Sequence, residues 1–248
     1  MKIHVLRSML AAVTLLAVLP ATSASAHGNC ALPVFGPGAG YHPRIVPSNF
    51  TSNVTNPWYP LKVRRSLIYA GVREGQSALD IVTTTPRTKL IDGVRSRVVS
   101  DRLYLYGILR ERTSDYFAQD RCGNVWYFGE DTAELDTHGH IVSREGSFHA
   151  GVDSAQPGVF MQAHPQLGRK FRQEWYPDHA EDVFQVIAEN TTVTVPLGTF
   201  RHALRTAETT RLEPDTLDNK FYVRGIGEVT EQALKGPTEA LHLIAIIP

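Results

Sequence analysis

A chain of 248 residues with 25 basic and 25 acidic side chains carries no net charge, which leaves no electrostatic footprint for nucleic acid or an anionic membrane. At 42% hydrophobic and 20% charged residues it lies outside the compositions of disordered chains and can bury a sizeable core. No stretch approaches the roughly 20 apolar residues of a membrane span, so no transmembrane anchor is expected.

Residues 1–26 read as an export signal. Lys2 and Arg7 form the basic start, residues 9–19 the apolar centre, and Ala24-Ser25-Ala26 the small-residue cleavage site. The expected mature protein is secreted and begins at His27. Loss of Lys2 and Arg7 leaves 23 basic against 25 acidic residues, a net charge of about −2. Two cysteines in an exported chain pair most simply as Cys30–Cys122, which would tether the N-terminus to a turn in the middle of the chain.

Residues 27–60 are rich in Gly, Pro, Asn, Ser and Thr but carry Phe35, Tyr41, Phe50, Trp58 and Tyr59. They are expected to form an irregular arm laid over a single β domain at 61–248. From residue 61 turn signals recur at short intervals: Glu74-Gly75, Asp92-Gly93, Gly107, Gly123-Asn124 and His138-Gly139. They separate β-branched or aromatic runs at 66–70, 78–85, 88–91, 94–100, 102–106, 108–116, 125–128 and 140–144. Strands are further expected at 159–163 and 170–176, and at 191–195. Residues 179–189 fit a strand better than a short helix, because Val183, Phe184, Val186 and Ile187 suit a sheet. The last strands fall at 198–212, 220–224, 228–234 and 240–247. The fold class is mainly β: a curved antiparallel sheet, open barrel or sandwich with few short helices.

The segment from Asp115 to Asp131 is the expected hub. It combines the densest aromatic cluster with Asp120, Glu130 and Asp131, and it holds Cys122. Its blocks Asp115-Tyr-Phe-Ala-Gln-Asp120 and Gly123-Asn-Val-Trp-Tyr-Phe-Gly-Glu-Asp131 resemble a family of secreted or periplasmic bacterial β-rich proteins of unknown function. Asn56-Pro-Trp-Tyr-Pro-Leu61, Gln173-Glu-Trp-Tyr-Pro177, Val195-Pro-Leu-Gly-Thr-Phe200 and Tyr222 with Gly227 extend the resemblance over nearly the whole mature chain. The resemblance implies one domain and brings no activity, substrate or catalytic residue.

Three chemistries follow from the residues themselves. An aromatic-lined cleft built from Trp126, Tyr127, Trp175, Tyr176 and Tyr222 would suit a binding protein for an extracellular glycan or amphiphilic small molecule. Gln119, Asp120, Glu130 and Glu174 would be its polar contacts. The alternative is a carbohydrate-active enzyme pairing Asp120 or Glu130 with Glu174 as acid and base, since glycoside cleavage needs two carboxylates about 5–10 Å apart. The third is copper held by the amine and imidazole of an N-terminal His27, with His138 or His140 as further ligand. The first two readings need no cofactor. The first two require the hub to pack against the segment at 173–176.

Overall fold

The computed structural model describes residues 31–248. The expected signal, its cleavage site, His27 and Cys30 lie outside the described residues, as does the expected Cys30–Cys122 pairing.

The strands are β1 (Phe50–Thr51), β2 (Ser66–Arg73), β3 (Gln76–Ile91), β4 (Val94–Leu105), β5 (Ile108–Asp120), β6 (Val125–Leu135), β7 (Ile141–Ser143) and β8 (Phe148–His149). They continue as β9 (Gln156–Met161), β10 (Lys170–Arg172), β11 (Glu174–Trp175), β12 (Val183–Val195), β13 (Gly198–Thr209), β14 (Leu217–Val223), β15 (Gly227–Lys235) and β16 (Glu239–Ile247). Thirteen of them pair antiparallel in the order β10-β12-β13-β14-β15-β16-β2-β3-β4-β5-β6-β9-β11, a sheet nearly closed into a barrel, while β1 pairs with β5 and both β7 and β8 with β6. The two ends of that order, β10 and β11, are separated in sequence by Gln173 alone. The sheet thus comes round upon itself at one residue.

The turns explain the consecutive hairpins from β2 to β5. Glu74-Gly75, Asp92-Gly93 and Tyr106-Gly107 all take positive φ at both positions, the mirror-image two-residue turn whose twist matches that of paired strands. Glycine removes the steric cost at each second position.

Several strands are longer than the sequence suggests. The runs at 78–85 and 88–91 are one strand, β3, because the chain bends at Pro86 without leaving the sheet. The β3–β4 register jumps between Thr84 and Thr88. Arg97 then covers the carbonyls freed by the irregularity, donating to the oxygens of Thr85, Pro86 and Arg87. Likewise 94–100 and 102–106 fuse into β4. The run at 170–176 instead divides into β10 and β11, which pair with different partners, β12 and β9. Residues 183–195 are strand, as expected, and Tyr176–Ala180 is a turn closed by an isolated bridge.

The arm packs against the outer side of β5 and β6. Phe50 meets Trp126 and Phe128 edge to face at 5.8 and 5.3 Å, and Val54 and Trp58 are buried. Asn56 fixes its course: Nδ2 donates to the carbonyls of Gly123 and Gln162, while Oδ1 accepts from the amides of Trp58 and Tyr59. Gln119 Oε1 accepts from the amides of Thr55 and Asn56, both at 2.7 Å.

Candidate functional site

A cavity of about 560 Å³ runs through the barrel. At one end Tyr59, Phe117, Tyr127 and Phe160 line it as a set of mutually packed rings. Phe117 and Tyr127 stack at 4.8 Å, and Phe160 lies 4.6 Å from Tyr59 and 4.9 Å from Phe117. Exposed lining residues Glu74, Glu213 and Pro237 mark where it meets solvent, at the β2–β3, β13–β14 and β15–β16 connections.

Between these ends the walls are acidic. Asp80, Asp101, Asp115 and Glu130 come from β3 to β6, with Asp115 and Glu130 directly opposite each other. Glu174 and Asp182 flank the closing seam. The opposite wall, β13 to β15, presents Glu208, Asp218, Glu228 and Glu231 around Lys220. Lys220 Nζ sits 3.2 Å from Glu208 and 3.3 Å from Glu231, and Arg73 pairs with Glu239 at 3.1 Å. Arg65, also in the lining, spends its guanidinium on the carbonyls of Pro60, Gly225 and Ile226. The acids of the first wall form no ion pair among the described residues.

Enclosure sets the protonation of these groups. Burial, with Asp101 adding repulsion, pushes Asp115 up to about 7, and burial lifts Glu228 to about 8 despite Lys220. Asp182 and Asp218 rise to about 6 by burial. Glu130 and Glu174 are raised well above the ordinary carboxyl range by burial, Glu130 next by Asp115 and Glu174 next by Asp182. Asp80 is raised by burial and by the neighbouring carboxyl of Asp101, since two carboxylates that share a site disfavour each other's ionisation.

Two polar groups in the lining are unmatched. Gln173 is 4% exposed and its Nε2 has no hydrogen-bond partner. Asp80 Oδ1 likewise has none. Buried polar groups are nearly always paired, so both are notable where a cavity adjoins them. Gly158 brings β9 close to this seam: a Cβ there would lie 2.3 Å from the Gln173 backbone.

The residues expected from sequence divide between the cavity and its outside. Tyr127, Glu130 and Glu174 line the cavity. A β-bulge brings Tyr127 and Glu130 together. The β5–β6 register pairs Tyr116 with Gly129 but Phe117 with Tyr127, so Phe128 is an extra residue and the positions three apart share a face.

Asp120, Gln119, Trp126, Trp175, Tyr176 and Tyr222 are not in the lining. Gln119 holds the arm, Trp126 packs under Phe50, and Trp175 lies beneath Arg172, 4.3 Å from the ring. Tyr176 stacks on His179 at 4.5 Å, and the Tyr222 hydroxyl donates to Glu208. His138 and His140 are exposed in the β6–β7 turn, where Asp136 accepts from both backbone amides. Among the described residues no group of three or more His, Cys, Asp or Glu side chains is arranged to hold a metal. Sequence reading passed over Asp80, Asp101, Lys220 and Glu228; their inward direction carries no signature, because alternation in a strand does not say which face is enclosed.

Asp120 instead organises the hub turn. Its carboxylate accepts from the amides of Cys122 and Asn124, from Asn124 Nδ2 and from Trp126 Nε1. Asp120→Ala leaves these donors without their acceptor in a buried site and should cost about 3 kcal/mol. Urea unfolding checks this; a loss below about 1 kcal/mol would show that the turn does not depend on the carboxylate.

No family model matches the chain, and no curated protein matches it. Among solved structures it is similar to a Bacteroides fragilis protein described as exported and as having a YmcC-like fold. That pair is 11% identical with a TM-score of 0.44, over 77% of this chain and 99% of that one. A Parabacteroides distasonis protein described as a lipoprotein is 8% identical with a TM-score of 0.40, over the same shares. Among the described residues no helix is long and apolar enough to cross a membrane.

Proposed function

We propose that the protein is an exported binding protein that takes a glycan into the barrel. The observation that carries this reading is the cavity of about 560 Å³ whose lining sets the rings of Tyr59, Phe117, Tyr127 and Phe160 beside the carboxyls of Asp115, Glu130 and Glu174. Sugars present apolar ring faces and a rim of hydroxyls, and that wall offers aromatic surface beside groups that accept and donate hydrogen bonds. An amphiphile fits less well, because an alkyl chain along the acidic walls would strip water from carboxyls and return nothing.

The enzymatic reading has one favouring observation: Glu130 and Glu174 share the cavity, and Glu130 raises the proton affinity of Glu174. Glycoside cleavage needs one carboxyl protonated and its partner ionised. Burial raises the proton affinity of both, so neither is set apart as the ionised partner, which favours binding over hydrolysis.

Calorimetric titration with a panel of neutral oligosaccharides tests the proposal. At least one is expected to bind with Kd between about 1 µM and 1 mM, and Phe160→Leu should weaken it about three- to tenfold by removing a ring face. Absence of binding across the panel, or affinity indifferent to Phe160→Leu, overturns it. Release of reducing ends, abolished by Glu174→Gln, would favour the enzyme instead.

A further inference from the structure

Two features of the cavity point beyond a neutral sugar. The wall formed by β3 to β6 and the seam brings together Asp101, Asp115, Glu130 and Glu174 with no cationic side chain paired to any of them, whereas Lys220 and Arg73 are engaged by other carboxylates. Beside Glu174, the buried Gln173 offers an Nε2 donor with no acceptor, at the one residue where the sheet closes. An unpaired acidic wall calls for a cation. An idle amide donor calls for a neutral oxygen acceptor. The partly buried rings of Tyr59 and Phe160 in the same lining call for a flat apolar face. A single ligand class satisfies all three at once.

We infer that the cavity selects an amino sugar: a glycan unit whose protonated amine sits against the Asp115–Glu130–Glu174 wall while Gln173 Nε2 donates to one of its hydroxyl or ring oxygens. This rests on the glycan reading above and names the class of glycan. A free amine on the sugar would supply the positive charge that the wall lacks. The N-acetylated form of the same sugar has equal ring faces and hydroxyls but no charge, and must seat a neutral acetamide against carboxyls. Burial raises the proton affinity of these acids, in keeping with a site where a cation is missing.

The test compares a short oligosaccharide of β-1,4-linked glucosamine with its fully N-acetylated counterpart, by calorimetry on the folded protein, with spermidine as a cation that carries no sugar. The amine form is expected to bind at least about tenfold more tightly. In the Glu130→Gln, Glu174→Gln double variant that preference should fall below about threefold. Glutamine keeps the shape of each side chain and removes a buried acid, so the variant is expected to fold, checked by its unfolding midpoint. Gln173→Leu should weaken both sugars alike and leave the preference intact. Equal affinity for the two sugars overturns this inference and leaves the glycan reading standing. Spermidine binding without either sugar, or no binding at all, overturns both.

Discussion

Lys220→Met is expected to lower stability at pH 8 by about 3–5 kcal/mol, the usual cost of removing one member of a buried ionic group. Lys220 stands on β14 opposite Glu231 on β15, with Glu208 reaching it from β13. Burial alone would drive its proton off, but Glu208 and Glu231, with Glu228 behind them, keep it charged. Without the ammonium, three strands would present carboxylates to one another across a few ångströms of enclosed space. The measurement is denaturant unfolding of the wild type and the variant, together with Lys220→Met in a Glu208→Gln, Glu231→Gln background. Most of the loss should return in that background, because the repelling charges have gone with the attracting one. A loss under about 1 kcal/mol, or no recovery in the triple variant, would mean that the cluster is solvated and Lys220 is not its keystone.

The second large effect concerns pH. Asp115 and Glu239 are raised to about 7 and Glu228 to about 8, in each case by burial first. A carboxyl whose proton is held more tightly in the folded chain than in the unfolded one stabilises the fold below the unfolded value, near 4. It loses that contribution as pH rises through the folded value. The ligand-free protein should therefore lose at least about 2 kcal/mol between pH 5 and pH 8. Groups with the opposite pH dependence act outside this window. Glu181, held low by the Arg211 guanidinium, and Asp136, lowered to about 2 by amides and the imidazole in its turn, lose their contributions only in more acid solution. Urea midpoints at pH 5 and pH 8 decide the matter. A flat or rising profile would show that the interior acids are fully hydrated and carry no excess protons.

Much of the local structure is written in short segments. The paired positive-φ turns at Glu74-Gly75, Asp92-Gly93 and Tyr106-Gly107 each contain glycine where the chain needs it, so the β2-to-β5 hairpins can be read directly. The arm is legible for a different reason: Phe50, Val54 and Trp58 are too apolar to remain in water. Its landing place is not, since nothing local says that Phe50 meets Trp126 and Phe128. Nor does local pattern place the β3 bend at Pro86 inside one strand, because the Arg97 side chain that covers the freed carbonyls comes from the neighbouring strand.

The candidate site was half visible. The hub and the Gln173–Glu174 segment do contribute to one cavity, through Tyr127, Glu130, Gln173 and Glu174. Strict alternation places Glu130 on the face of Trp126 and Phe128 and opposite Tyr127. The bulge at Phe128 reverses that relation, and a bulge is a property of two paired strands, not of one.

What the residues alone determined is the strand-and-turn grammar: where the chain extends, where it reverses, and that each strand has two unlike faces. What the tertiary structure decided is which face became the inside. Closure of the sheet at Gln173 enclosed the face bearing Asp115, Asp101 and Lys220, and the arm covered the opposite one around Phe128. Period two in a strand is symmetric between its faces, and only long-range pairing breaks that symmetry.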